Sequence, residues 1–208
     1  MAAAYPLLLD VSERLIVIIG GGAVAARKAA GVIAAGAKRV RIIAPKLTAK
    51  MPSGVEHVAA SYEAGHLKAA GLVFAATNQP DVNATIVRDA RSAGVLVNRA
   101  DSDETDHGDF TVPAVIRQGN LTIAVSAGGA PALAAKVRDC INATLEERWL
   151  RLADATQSLR PKIIEKIADA PRRRAALTDL ASNQAADLAS DEAALKSWLA
   201  ERYPELKS

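Results

Sequence analysis

A five-residue apolar run, Leu15 to Ile19, ends on three consecutive glycines and passes directly into an alanine-rich stretch. Few folds accommodate that order. A run without polar alternation reads as a strand buried on both faces, the condition of a parallel sheet covered by helices on each side. Val24 to Ala35 has helical character and stops at Gly36, the residue type favoured just past a helix end. The segment therefore predicts strand, glycine turn and helix. Within it, Gly20, Gly22 and Ala25 satisfy the pattern G-x-G-x-x-A. In such a turn the first glycine permits the bend and the second lets the backbone approach a pyrophosphate. The small third residue lets helix and strand pack closely. Free N–H groups and partial positive charge at the helix start favour phosphate. The expected ligand is a nicotinamide dinucleotide, held through Gly20, Gly21 and Gly22.

The same alternation continues for about a hundred residues. Val40 to Ala44 reads as a second strand ended by Pro45, Val55 to Ala59 as a weaker one, and Leu72 to Ala76 as a strong one. Asp81 to Ala93 is an amphipathic helix closed by Gly94, and Val95 to Asn98 is a short strand. Strands alternating with helices of this length predict an α/β fold, an N-terminal Rossmann domain with a parallel sheet. The acidic residue that usually holds the ribose hydroxyls after the second strand is missing. Ala44-Pro45-Lys46 stands there instead. The ribose then falls to backbone groups or to Lys46, which also tolerates a 2′-phosphate, so the residues leave NAD and NADP both open. Thr77, at the carboxyl end of the fourth strand, is either a cofactor contact or a satisfied turn hydroxyl.

The rhythm changes after Ala100. Asp101 to Asp109 is acidic and aperiodic, and reads as a loop. Phe110 to Arg117 and Leu121 to Ser126 are extended, with a turn at Gln118-Gly119-Asn120 between them. Gly128-Gly129 leads into a helix beginning near Pro131, and the rest reads as helical. Leu145–Leu159, Lys162–Ala168, Arg172–Leu180 and Asp191–Tyr203 are expected segments, separated by Pro161, Pro171 and Ser182-Asn183. Trp198 follows helical spacing with Leu195 and Leu199 and reads as core packing, and Arg172-Arg173-Arg174 as a solvated helix start. The expected domains are 1–112, a cofactor-binding Rossmann domain; 113–148, a dimerisation region; and 149–208, a small helical C-terminal domain.

Composition narrows the function classes. Aromatics make up 3% of the 208 residues, too few for a stacking surface, and the net charge of +3 demands no polyanion, so no nucleic acid is expected. No stretch approaches the roughly 20 apolar residues that span a bilayer, and the N-terminus lacks a signal-peptide pattern. A soluble cytoplasmic protein that uses no membrane is the expectation. Cys140 is the only cysteine and excludes an intramolecular disulfide; between Val137 and Ile141 it reads as a buried apolar thiol. Asp103, Glu104, Asp106, His107 and Asp109 look superficially like metal ligands. Their spacing fixes no geometry, so they are expected to be solvated, with no dedicated metal site.

Several longer strings are more specific than the glycine turn. They are Tyr5-Pro-Leu-Leu-Leu-Asp10, Gly20-Gly-Gly-Ala-Val-Ala-Ala-Arg-Lys28, Ile43-Ala-Pro45 and Ala75-Ala-Thr-Asn78. Further on come Val97-Asn98 with Asp101, Asp109-Phe110 with Pro113-Ala114, Gly119-Asn-Leu-Thr-Ile-Ala-Val-Ser126, Gly128-Gly129 and Pro131-Ala-Leu-Ala134. In that order they resemble the precorrin-2 dehydrogenases, which also form the N-terminal module of multifunctional siroheme synthases. The resemblance covers about two thirds of the chain.

It implies NAD⁺-dependent oxidation of precorrin-2 to sirohydrochlorin in siroheme or cobalamin biosynthesis, by a homodimer. Some members of that family also insert Fe²⁺. It implies Asp101 as the catalytic base and cofactor contacts at Ala23, Val24, Pro45 and Lys46. Thr77 and Asn98 join them at the ends of the fourth and fifth strands. Arg117, Lys136 and Arg138, around Ser126, Gly128 and Gly129, are expected to hold the tetrapyrrole carboxylates. The sequence departs from the family pattern at Arg99, where an apolar residue is usual. The loop 102–108 is longer and more acidic, and Ala127 replaces a hydroxyl residue before a shortened glycine turn. Three readings stay open: the dehydrogenase, a bifunctional dehydrogenase and ferrochelatase, and a non-catalytic nicotinamide-sensing module.

Overall fold

A computed structural model describes residues 5–101 and 106–207. It divides into two compact units, one ending at Val112 and the other beginning at Pro113.

The first unit is a five-stranded parallel sheet. Strands β1 (Leu15–Ile19), β2 (Arg39–Ile43), β3 (Glu56–Val58), β4 (Leu72–Ala75) and β5 (Val97–Arg99) lie in the order β3-β2-β1-β4-β5. The unbroken apolar character of β1 and β4 has a direct cause, since both faces are covered. On one face Ile16, Ile18 and Phe74 pack with Ala25, Ala29 and Val32 of helix α1 (Ala23–Ala34). On the other, Val17, Ile19, Val73 and Val97 pack with Ile86, Val87 and Ala90 of helix α2 (Pro80–Ser92). The strands expected at 55–59 and 95–98 are Glu56–Val58 and Val97–Arg99. The latter starts late because the Val95 amide still donates to Ala90 O and finishes the end of α2.

The acidic segment is only partly a loop. Residues 102–105, with Asp103 and Glu104, lie outside the described residues, but 106–109 run back along β5. Arg99 N–H donates to His107 O at 3.0 Å and Asp109 N–H to Val97 O at 2.7 Å. Gly108 has φ +81, and a Cβ there would strike Val97 O. Arg91 holds this segment with bonds of 2.9 and 3.0 Å to Asp106 and 2.9 Å to Asp109.

The second unit opens with an antiparallel hairpin, β6 (Ala114–Gln118) and β7 (Leu121–Val125), turning at Gly119-Asn120. Residues 110–113 are not part of it. Helices α3 (Pro131–Thr144), α4 (Glu147–Lys166), α5 (Ala170–Leu180), α6 (Asn183–Leu188) and α7 (Glu192–Arg202) follow. Pro161 does not divide α4. It sits on the exposed side, while Leu152, Ala155, Leu159 and Ile163 continue one buried stripe past it. Burial of that stripe offsets the roughly 3 kcal/mol that an interior proline costs. The expected break near Ser182-Asn183 falls between α5 and the short α6, whose N-cap Ser182 accepts from the Ala185 amide. Leu195 and Leu199 are buried with Trp198 packed beside them. Cys140 is exposed, against the expectation of a buried thiol, because within this unit α3 buries only Ala134. No helix among the described residues is long and apolar enough to cross a membrane.

Candidate functional site

The carboxyl end of the sheet is built from backbone as much as from side chains. Gly20 has φ +124, where L side chains are strained, and a Cβ there would collide with Ala76 O at the end of β4. At Gly21 a Cβ would collide with Lys46 O, from the segment that follows β2. The turn is therefore wedged between two strand ends. Gly20 N–H donates to Ile43 O at 2.9 Å, and Gly21 O accepts from Thr48 N–H at 2.8 Å. Gly22 differs from both. Its φ of −87 suits any residue, and nothing lies within 4 Å of a Cβ.

Helix α1 begins at Ala23 with no side-chain cap and no acid in its first turn. The amides of Ala23 and Val24 are thus turned to a space that carries no competing acceptor from a capping side chain. These features fit a pyrophosphate, which needs close backbone approach and unspent N–H donors. Pro45 and Lys46 are exposed beside the turn.

Across the same sheet end runs a chain of hydrogen bonds. Thr77, two residues past the end of β4, donates its amide and hydroxyl to Asn83 Oδ1 at 3.1 and 2.8 Å. Asn83, fully buried on α2, returns Nδ2 to Thr77 O at 3.1 Å and also donates to Asp101 Oδ2 at 2.8 Å. Arg99, at the end of β5 and 7% exposed, places Nε 2.8 and 3.0 Å from the two oxygens of Asp101. Its Nη2 donates to Pro80 O at 3.2 Å, at the first residue of α2. The Gly20 Cβ position lies 3.1 Å from Thr77 N, so the glycine turn and Asp101 belong to one continuous edge.

Asn98 is 4% exposed and gives Nδ2 to Phe110 O at 2.9 Å. Its Oδ1 has no partner among the described residues, a buried acceptor waiting for a donor. On the same face of the sheet, Lys28 Nζ lies 5.5 Å from the centre of the Phe74 ring, whose edge meets Phe110. Burial, and secondarily the neighbouring Arg27, push the Lys28 amine down to about 8.

The predicted substrate contacts belong to the second unit. Gly128 and Gly129 both have positive φ, 54 and 90, and lead into α3. Ser126, Arg117 and Lys136 are exposed, and the Arg138 guanidinium bonds to Asp139 at 2.6 and 2.9 Å. Asp109, one of the superficially ligand-like acids, accepts from Arg91 and from the Val97 amide.

Sequence reasoning missed Asn83 and saw Arg99 only as an irregularity. The signal for Asn83 was present: it shares the buried spacing of Ile86, Val87 and Ala90, a polar residue at a core position of an amphipathic helix.

Residues 7–114 match the profile of a putative NAD(P)-binding family. The chain is 34% identical over 175 residues to the siroheme synthase of Photobacterium profundum, covering 81% of this chain and 37% of that protein. It is 30% identical over 206 residues to the siroheme synthase of Chromobacterium violaceum, covering 95% and 43%. It thus spans about two fifths of the length of the curated relatives it matches. Among solved structures, SirC, precorrin-2 dehydrogenase, shares the fold with a TM-score of 0.75 at 20% identity, over 95% of this chain and 100% of that one.

Proposed function

The chain belongs to the putative NAD(P)-binding family, and from that premise we propose that it oxidises precorrin-2 to sirohydrochlorin with NAD⁺ in siroheme or cobalamin biosynthesis. The observation that carries this reading is the continuous edge from the open Gly22, through Gly20 and Thr77, to the Asp101 carboxylate. The names of the siroheme synthases and of SirC supply the substrate class.

Gly20, Gly21 and Gly22 give the dinucleotide its close backbone approach, and the first-turn amides of Ala23 and Val24 receive the pyrophosphate. Pro45 and Lys46 would hold the adenosine ribose, and Asn98, whose buried Oδ1 has no partner among the described residues, would accept from a donor of the cofactor. Thr77 would meet the cofactor by packing at the sheet edge, since its amide, carbonyl and hydroxyl are all bonded to Asn83. When bound, NAD⁺ would supply the acceptor for a hydride leaving a saturated ring carbon. Asp101 takes the accompanying proton, a contribution typically worth about 10²–10⁴-fold. Arg117, Ser126, Gly128, Gly129, Lys136 and Arg138 hold the tetrapyrrole carboxylates. Arg117 and Lys136 act first, because Asp139 already engages Arg138.

Residues 113–148 form the dimerisation region between the cofactor domain, 1–112, and the helical domain, 149–208. Leu133 and Val137 stand 56% and 39% exposed on α3, with Cys140 one turn further, an apolar stripe that a second copy would cover.

The test mixes the protein with precorrin-2 and NAD⁺ and follows absorbance at the nicotinamide and sirohydrochlorin bands. Equal rises of NADH and sirohydrochlorin are expected. Tight NAD⁺ binding with no formation of either product would leave a sensing module in place of an enzyme.

A further inference from the structure

We propose that Arg99 and Asn83 are positioning residues for Asp101, fixing the orientation of its carboxylate at the sheet edge; this rests on the catalytic reading of Asp101 given above. The starting point is an energetic oddity. Taking a guanidinium and a carboxylate out of water costs several kcal/mol per ion, and a buried pair is often no more stabilising than apolar residues of the same volume. Arg99 and Asp101 nevertheless carry side chains only 6% and 15% exposed. A pair that brings little stability can still fix geometry.

The geometry is closed. Arg99 reaches both oxygens of Asp101 through Nε, at 2.8 and 3.0 Å, while its Nη2 is anchored on Pro80 O. Asn83 approaches Oδ2 from the opposite element, at 2.8 Å, and is itself fixed by Thr77. The end of β4, the start of α2 and the end of β5 are tied into one ring of bonds with the carboxylate in it. A carboxylate held from two rigid elements cannot rotate about its Cβ–Cγ bond without breaking a charge-assisted bond. A reacting group misplaced by about 1 Å can lose on the order of 10²-fold in rate. Arg99 therefore acts through Asp101. A lysine there would keep the charge and lose the fork, because an ammonium is a point donor without the planar spread that spans two oxygens and a carbonyl.

The experiment is a double-variant cycle with Arg99→Lys, Asn83→Ser and Asp101→Ala, each alone and the first two combined with the third. The readouts are kcat and KM for precorrin-2 oxidation, NAD⁺ affinity by calorimetry, and the unfolding midpoint. Arg99→Lys and Asn83→Ser are each expected to lower kcat by about 10- to 100-fold. KM and NAD⁺ affinity should stay within about three-fold. In the Asp101→Ala background the same substitutions should cost nothing further, because the group they position is gone. Equal losses with and without Asp101 would overturn the proposal and leave Arg99 and Asn83 as structural residues. A loss confined to KM or to NAD⁺ affinity would overturn it too. If Asp101→Ala alone keeps the full kcat, the base assignment of the proposed function falls first, and the positioning role with it.

Discussion

The two units bury different things. In the second, the buried residues of the core that joins α4 to α7 are apolar; the Tyr203 hydroxyl is bonded to Asp179, and the Trp198 indole N–H is buried with no partner among the described residues. In the first, Asn83, Asn98 and Arg99 are buried, and all three serve the end of the sheet where β4 and β5 finish. Buried polar groups are costly unless every partner is in place. The second unit therefore spends its interior on cohesion, and the first gives up some cohesion to hold a carboxylate and an open glycine turn. Where a small domain buries polar groups together, at one edge, chemistry is the reason to look for.

The largest test of this contrast is Gly21→Ala. The new methyl would meet the Lys46 carbonyl, a backbone atom that cannot swing aside. A loss of about 3 kcal/mol or more is expected in urea unfolding followed by circular dichroism. Tolerance of alanine there would mean that the first unit is not held by backbone contact at its turn. Leu195→Ala is the matching test in the second unit. Its fully buried side chain leaves a cavity, and a cost of about 2–4 kcal/mol is expected. Trp149 and Trp198 both pack against this core, so their fluorescence should report the shift.

Gly22→Asp separates stability from binding within the first unit. Aspartate is a favoured residue at a helix N-cap and should leave stability unchanged or raise it by up to about 1 kcal/mol. It also places a charge where the pyrophosphate approaches. At least a 100-fold loss in NAD⁺ affinity is expected by calorimetry, and unchanged affinity would remove the cofactor assignment of the turn.

The smallest effect is electrostatic. The Lys28 amine is held near 8 in the folded chain, against 10.5 when unfolded, so the unfolded state binds this proton more tightly. Its burial therefore costs stability below pH 8, a cost that fades between 8 and 10.5. Lys28→Met should raise stability by about 1 kcal/mol at pH 7, after allowance for solvent access, with the gain shrinking toward pH 10. A gain that does not change with pH would mean that packing, and not charge, sets the difference.

The parts of the fold legible in the sequence are those decided by neighbours in the chain. The run Leu15–Ile19 and the residues Gly20, Gly22 and Ala25 give strand, turn and helix in one window. The end of α1 at Gly36, with φ +90, follows from local backbone sterics. What was hidden depends on residues distant in sequence. The need for glycine at 21 comes from the carbonyl of Lys46, and the tolerance of Pro161 from the helices that α4 packs against. Arg99 is an irregularity in the sequence and finds its reason only in Asp101 and Pro80, which the fold brings to it, and in Asn83 on the same carboxylate. The short helix α6 is hidden in the sequence although Ser182 is a common N-cap residue, because six residues are too few for a periodic pattern.

The strand order of the first unit bears on how the chain is made. β1 sits at the centre, and each later strand is added outward, β2 and β3 on one side, β4 and β5 on the other. Every partner in that sheet precedes Ala100, and the unit itself ends at Val112. At about 5–20 residues per second, synthesis of 113–208 occupies on the order of 10 s, longer than an α/β domain of this size ordinarily needs to fold. The glycine turn can thus be set, with its sheet closed around it, while the helices of the second unit are still being translated.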